Sequence, residues 1–386
     1  MVFYDSLADA ADEWSTVCKA DDIFLSPEFL QCVEDFAPEG IKPYYCLIKD
    51  EKLPVGILYF QTKYVKLKEN LRQSNSETKT SARILTEPFK QSIISLINFP
   101  TIICGNLLLT GKYGFCFKNS IPRDDQFYIV SKATDKLRTY LEQEGKSIKG
   151  LILIKDFFEA DAPVGGEYHH GFTKFSVQPK MLLDINPDWN NFNDYLLQLK
   201  SKYRVRARKA FKNGEDIVKK EFDATEIATH RDTINALYKN VSDQANFNAF
   251  VLHKRYFESL KATLGKAMIF TTYWRNGKMV AFFTSIKNYD ILDAHFLGYD
   301  PTENTECQIY LNMLYDLIDD GIRMRVKQID MSRTAIEIKS TVGAVPHDMY
   351  LYLRHTNKIL NRTVGLILSL VKPDTDFIIR SPFREN

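Results

Sequence analysis

The alternation of apolar and polar residues divides the chain into two halves with the same order of elements. After a short helical opening, Pro43–Lys49 and Pro54–Lys63 are rich in β-branched and aromatic residues. They flank the charged turn Asp50-Glu51-Lys52, which predicts a hairpin. Lys66–Arg83 is polar, with few large apolar residues, and reads as a surface loop or lid. Thr101–Phe117 returns to strand character, broken at Gly111 and Gly114. Phe127–Gln143 carries apolar residues three or four apart, a helix, and Gly150–Lys155 is a short buried strand. The second half begins again with Met268–Arg275 and Lys278–Lys287 around Asn276-Gly277, a type I′ hairpin signal. A third strand, Ile291–Tyr299, a helix from Ile309 stopped by Gly321, and a strand Val326–Asp330 follow. Hairpin, strand, helix, strand thus occurs twice, and two copies of one α/β unit is the economical reading. Between them runs a strand-rich crossover, Phe172–Ile185. A long helix then places Leu196, Leu199, Tyr203, Ala207 and Phe211 on one stripe. The boundary falls near 165–190, and an exchange of strands across it is compatible with the pattern.

Length agrees with two units, since 386 residues exceed the roughly 150 of one ordinary domain. With 51 Lys+Arg against 49 Asp+Glu the formal net charge is +2. That excludes a strongly basic coat protein and a polyanionic tail protein. The acidic opening, MVFYDSLADAADEW, has no apolar core of a signal peptide, and apolar stretches such as Val364–Val371 are too short to span a bilayer. The six cysteines form no C-x-x-C pair and read as small core residues. A cytoplasmic protein without a membrane span is the expectation.

The near-neutral total hides one unbalanced segment. Lys200, Lys202, Arg204, Arg206, Arg208, Lys209 and Lys212 follow one another without an acid, and Lys200, Arg204 and Arg208 share a helix face. Like charges four apart destabilise a helix, which a bound polyanion relieves. The segment reads as a phosphate platform or as a solvated basic face. In the strand Ile291–Tyr299, alternation places Asp293, His295 and Tyr299 on one face. A carboxylate beside an imidazole suits a general base, and Tyr299 suits a proton donor to a leaving group. The bland alternative is a satisfied core histidine. In Ile329-Asp330-Met331-Ser332-Arg333-Thr334, Ser332 or Thr334 suits a helix cap, and Arg333 and Lys339 suit an anionic ligand or a buried pairing with Asp330. The chain has no Walker A motif, dinucleotide-binding glycine fingerprint, H-E-x-x-H, Cys/His cluster or G-x-S-x-G elbow, so no metal is expected.

The order of elements resembles the GNAT acyltransferase superfamily, and two such units with a basic helix opening the second resemble its tandem Fem-type branch. Three stretches carry the resemblance: Gly171-Phe172 through Gln178-Pro179-Lys180 to Asp184; Leu199–Lys212 with Lys202, Arg204, Arg206 and Lys209; and Asp330 to Thr334 with Lys339 and Gly343-Ala344-Val345-Pro346. The resemblance implies a mixed α/β fold with two tandem GNAT-like acyl-CoA N-acyltransferase domains, 1–175 and 176–386, in a bacterial protein. It implies transfer of an acetyl or longer acyl group from acyl-CoA to a small-molecule or nucleotide-linked amine, with the site in the C-terminal domain. His295 would be the base, aided by Asp293, with Tyr299 as acid, and Lys202, Arg204, Arg206, Arg333 and Lys339 would hold phosphates. The alternatives are an aminoacyl-tRNA-dependent Fem-like transferase acting on a cell-wall precursor, with tRNA as partner, and a binding protein that keeps only the fold. Where acetyl-CoA enzymes of this superfamily carry a glycine-rich pyrophosphate loop, this chain reads Asp300–Gln308, with no glycine and the acids Asp300, Glu303 and Glu306.

Overall fold

The computed structural model describes residues 1–66, 98–146, 148–163, 169–244, 250–370 and 377–384. The polar stretch read as a loop or lid lies outside them from residue 67 onward. The first half supplies β1 (Val2–Tyr4), the hairpin β2 (Ile41–Asp50) and β3 (Leu53–Lys66), then β4 (Asn98–Cys104), β5 (Phe115–Phe117) and β6 (Leu151–Phe158). The crossover is β7 (Thr173–Asp184). The second half supplies β8 (Val218–Glu221), the hairpin β9 (Met268–Arg275) and β10 (Lys278–Asn288), then β11 (Ile291–Tyr299), β12 (Gln328–Asp330) and β13 (Val345–His355). Asn276 and Gly277 both have positive φ, 51° and 77°, as a type I′ turn requires.

All of these strands join one mixed sheet, in the order β1-β2-β3-β4-β6-β13-β7-β12-β11-β10-β9-β8, with β5 on β3. Two strands are exchanged between the halves. β7 follows β6 in the chain but pairs with β12, and β13 follows β12 but pairs with β6. β7 and β13 then pair with each other, Val345 opposite Leu182 through Leu353 opposite Thr173. Neither half can complete its hydrogen-bond ladder without a strand from the other.

Each half packs its long helix on one face of the sheet. Arg123–Gln143 buries Phe127, Val130, Leu137 and Leu141 in the first half, and Ile309–Arg323 buries Leu314, Leu317 and Ile318 in the second. The second helix runs through Gly321 instead of stopping there. A Cβ at that position would lie 2.7 Å from Ile329 Cδ1, so the glycine lets the helix settle onto β12. On the opposite face one cluster joins the halves, with Trp14, Phe29 and Tyr45 packed together with Tyr256, Phe270 and Phe282.

The long helix expected after the crossover is two helices, Phe192–Gln198 and Ser201–Asn213. The end of the chain causes the break. Leu199 bridges Phe383, Lys200 N–H donates to Pro382 O at 2.8 Å, and Arg384 N–H donates to Gln198 O at 3.0 Å. No helix among the described residues is long and apolar enough to cross a membrane. All six cysteines are free, and Cys32, Cys46, Cys104 and Cys307 are buried.

Candidate active site

β11 and β12 run parallel for three residues, Ile291–Asp293 beside Gln328–Asp330, and then part because β12 ends. On its other edge β11 stays paired with β10, through a bulge: Ala294 faces Ser285, Leu297 faces Phe283, and His295 and Phe296 share the space opposite Thr284. Thr284 Oγ1 donates to Phe296 O and accepts from Phe296 N–H, both at 2.8 Å, which fixes the bulge. The extra residue reverses the alternation. Tyr299 therefore packs with Leu292, Ala294 and Leu297, and not on a face shared with Asp293 and His295. The helix Arg231–Ser242 lies on the strand at Gly298, where a Cβ would sit 2.4 Å from the backbone carbon of Leu237.

The parting strands leave a cleft of about 470 Å³. Phe250, Phe283, Met313, Leu314 and Met331 give it apolar walls, and His295, Tyr299, Arg333 and Lys339 supply polar groups. His295 Nε2 is 2.8 Å from the hydroxyl of Tyr256, and burial pushes its imidazole down to about 3, so it is neutral at neutral pH. Lys339 is buried, and its Nζ donates to Arg333 O at 2.5 Å. Burial, only partly offset by Asp330, pulls this lysine down to about 7. Tyr299, Tyr310 and Ile338 also line a neighbouring hollow of about 360 Å³ whose far wall is Arg206 and Lys209. The two spaces share those three walls, so the cleft beside β11 adjoins the hollow at the basic helix.

Of the other predicted cations, Lys202 is exposed with its ammonium 5.0 Å from the Tyr203 ring centroid. Arg204 donates to Leu197 O at 3.2 Å. Neither lines the cleft or the hollow described above. The segment Asp300–Gln308 is a short helix, Pro301–Cys307, capped by Asp300 on Thr302 N–H at 3.0 Å. Its glutamates turn away from the hollow: Arg275 Nη1 binds Glu303 and Glu306, each at 2.7 Å. At the start of the next helix, Tyr310 N–H is already taken by Asn304 Oδ1 at 2.8 Å. The cationic side chains that line the hollow are Arg206 and Lys209.

On the other side of His295 and Phe296 lies a second cavity of about 330 Å³, at the junction of the halves. Leu107–Thr110 and Tyr113 come from the first half, and Asp293, Asp330 and Arg333 from the second. Asp293 and Asp330 are register partners on adjacent strands, both buried. Lys180, on β7, forms an ion pair with Asp330. Tyr113 OH donates to Asp293 Oδ1 at 3.5 Å. Burial, with Asp330 alongside, holds the carboxyl of Asp293 well above the usual range against the pull of Lys180. Asp293 is thus a neighbour of Asp330, and the hydrogen bond of His295 goes to Tyr256. Arg333 reaches across to Asp156 of β6, where Lys155 also pairs at 2.5 Å. The two cations outweigh burial and keep Asp156 ionised.

Ser332 and Thr334 take positive φ, 61° and 66°, and neither caps the helix Ile336–Thr341, whose cap position is Ala335 without a side-chain bond. Ser332 Oγ donates instead to Thr110 Oγ1 at 3.3 Å, and a bend at that strand end carries its backbone into the junction. Tyr256 and Asp156 join the site without having been singled out in the sequence, and Lys180 was named only within the crossover stretch. A Lys-Asp pair inside the apolar run GLILIKDFF was a readable signal for Asp156; nothing local marks Tyr256.

Residues 201–340 match the family model described as an acetyltransferase (GNAT) domain. No curated protein matches the chain in sequence. Among solved structures, FemX is similar with a TM-score of 0.51 at 9% identity, over 94% of this chain and 100% of its own. The tandem GNAT protein from the clavulanic acid biosynthesis pathway gives 0.48 at 9%, over 91% and 95%. L-PGS from Bacillus licheniformis gives 0.46 at 12%, over 89% and 96%. At these identities the likeness is one of fold. The segment that matches the GNAT model thus contains the basic helix, β11, β12 and every wall of the long cleft, in a chain with the mixed α/β fold of FemX.

Proposed function

We propose that the protein is an N-acyltransferase that moves an acyl group from acyl-CoA to an amine, with the reaction in the second of two units, 1–175 and 176–386. The observation that carries this reading is the adjacency of two spaces: the cleft at the bulge of β11 and the hollow at Arg206 and Lys209 share Tyr299, Tyr310 and Ile338 as walls. The apolar cleft fits an acyl chain and the basic hollow fits phosphates. An open cleft also favours transfer over a binding protein that keeps only the fold. Acyl-CoA supplies the activated acyl carbon. The chain's residues hold it, position the carbonyl and manage protons.

The roles follow from the environments. The Tyr256 hydroxyl, whose proton burial retains, donates to His295 Nε2. The other ring nitrogen then carries the proton and serves as donor to a carbonyl oxygen. A histidine held near 3 is too weak a base to take a proton from an amine at pH 7. Lys339, near 7, suits that step. Tyr299, at the shared wall, supplies the proton to the leaving group. Arg206 and Lys209 anchor phosphates, with Lys202 and Arg204 as outlying members of the same basic helix.

A second donor, aminoacyl-tRNA, is favoured by two observations. The exposed Lys202, Arg206, Arg208, Lys209 and Lys212 present more positive charge than a pyrophosphate needs, and Asn304 occupies Tyr310 N–H. Melting temperature with acetyl-CoA, a long-chain acyl-CoA and bulk tRNA, each added separately, tests the donor. A rise with either acyl-CoA is expected. A rise with tRNA alone selects the second donor, and no rise with any of them at concentrations well above micromolar overturns donor binding.

A further inference from the structure

After β13 the polarity of the chain is turned inside out. Two short helices follow the strand, Lys358–Asn361 and Val364–Leu370. Backbone bonds carry the helical turn from one to the next, with Arg362 N–H donating to Ile359 O at 3.2 Å and Thr363 N–H to Leu360 O at 3.0 Å. Seven residues make two turns, so Ile359, Arg362 and Leu366 come to one side. The opposite side rests on the protein. There Asn361 Nδ2 donates to Gly171 O at 2.8 Å, and its Oδ1 accepts from His355 N–H at 2.8 Å. Val364 is buried, and a Cβ on Gly365 would lie 3.9 Å from Thr173 Cγ2. The asparagine thus points inward, while Ile359 and Leu366 are 74% and 66% exposed and Leu360 is 45% exposed. Exposed aliphatic residues scattered singly need no explanation, but three gathered on one short segment do.

The charges of the segment are all of one sign. Asn357 to Leu370 holds Lys358 and Arg362, both exposed, and no acid. Asp135, on the long helix of the first half, is taken by Arg354 at 2.6 Å. Three aliphatic side chains fall far short of the roughly 800 Å² that each partner of a stable protein interface buries. A second copy related by a two-fold axis would also set Lys358 and Arg362 against their own images. A bilayer asks for less: a few aliphatic side chains at the headgroup boundary, with cations beside lipid phosphates. The helix Val364–Leu370 rises only about 10 Å, a third of the hydrocarbon thickness, so it lies on a membrane and does not cross it.

We infer that Lys358–Leu370 docks the protein on an anionic phospholipid surface, with Ile359, Leu360 and Leu366 in the headgroup boundary and Lys358 and Arg362 on lipid phosphates. The segment shares no residue with the long cleft, the basic hollow or the junction cavity, so the docking surface stands apart from the acyl-transfer reading.

The test is co-sedimentation of the full chain with vesicles of phosphatidylcholine alone and with vesicles in which about a third of the lipid is phosphatidylglycerol. The anionic vesicles should bind at least about tenfold more tightly, and the preference should fade as salt rises. Ile359→Ser with Leu366→Ser should weaken binding to the anionic vesicles at least about tenfold, and Lys358→Gln with Arg362→Gln should bring the two vesicle types level. All four side chains are exposed, so neither variant should change the melting temperature. Leu360→Trp adds a reporter whose emission should shift to the blue on the anionic vesicles. The inference is overturned by absent binding, by binding that survives the double serine variant, or by an unshifted emission in bound Leu360→Trp. Binding lost only on Lys202→Gln with Arg208→Gln would place the lipid contact on the basic helix and overturn it too. So would a dimer in sedimentation velocity that the double serine variant turns into a monomer, which would assign the patch to a second copy.

Discussion

The two halves solve the same geometric problem with opposite chemistry. In each, two parallel strands run together briefly and part: β4 and β6 in the first, β11 and β12 in the second. The first half pairs Cys104 with Ile154 at that point, after Ile102 with Ile152 and Ile103 with Leu153, and the second pairs Asp293 with Asp330. The first half then fills the gap. Lys155 donates to Asn106 O at 2.8 Å and to Leu109 O at 2.7 Å, and its stem lies where any side chain on Gly105 would have to go. The second half leaves the gap open and lines it with His295 and Lys339. An apolar pair satisfies the fold in the first half, whereas the second half buries two carboxyls and balances them with Lys180. The filled half has become a wall of the open half's site.

Four experiments sharpen or break this contrast, beginning with the largest expected effect. Asp156→Ala strands the charges of Lys155 and Arg333 at the junction, and should destabilise the chain by about 3–5 kcal/mol in urea denaturation. A loss below about 1 kcal/mol would mean that the plug and the junction are not coupled.

Lys339→Met should lower the transfer rate by about 10²–10⁴-fold. The wild-type rate should rise with pH through about 7, because the neutral amine is the active form, and that limb should vanish in the variant. Stability has its own sign. The folded value near 7 lies below the ordinary 10.5, so this lysine's contribution is complete above 10.5 and is lost as pH falls towards 7. Lys339→Met should therefore show a flatter stability profile across that window.

Giving the second half an apolar pairing like the first, as Asp293→Leu, Asp330→Ile and Lys180→Met together, should leave stability unchanged or raise it by about 1–4 kcal/mol while transfer disappears. Retained transfer would show that the carboxyls are only structural. The smallest effect belongs to Arg206→Ala with Lys209→Ala. Donor binding should weaken severalfold and its salt dependence should flatten, and an unchanged salt slope would assign the basic helix to solvent.

Much of the architecture is legible along the chain. Asn276-Gly277 specifies its hairpin because few residues besides Asn and Gly accept two positive φ values, and the bounds of β11 follow from its apolar pattern alone. The mixed α/β fold and the GNAT resemblance come from the order of such local signals. His295, Tyr299 and Lys339 are legible as polar groups on predicted apolar elements. The bulge is not, because it depends on Thr284 of the neighbouring strand, and with it goes the true face of Tyr299. The break at Leu199 is hidden too, since the residues that cause it lie near the far end of the chain.

The sequence by itself determined the elements, their repetition and the unbalanced charge of the basic helix, since periodicity, turn chemistry and like-charge spacing act over a few residues. Only the tertiary structure decided which strands pair. A strand's pattern specifies which face is buried but not which neighbour it takes, and the exchange of β7 and β13 rests on that choice. It also decided that Asp293 stands beside Asp330, His295 beside Tyr256 and Arg333 beside Asp156, and that burial takes a lysine to about 7. Desolvation and charge pairing depend on distance in space, and no spacing along the chain encodes that.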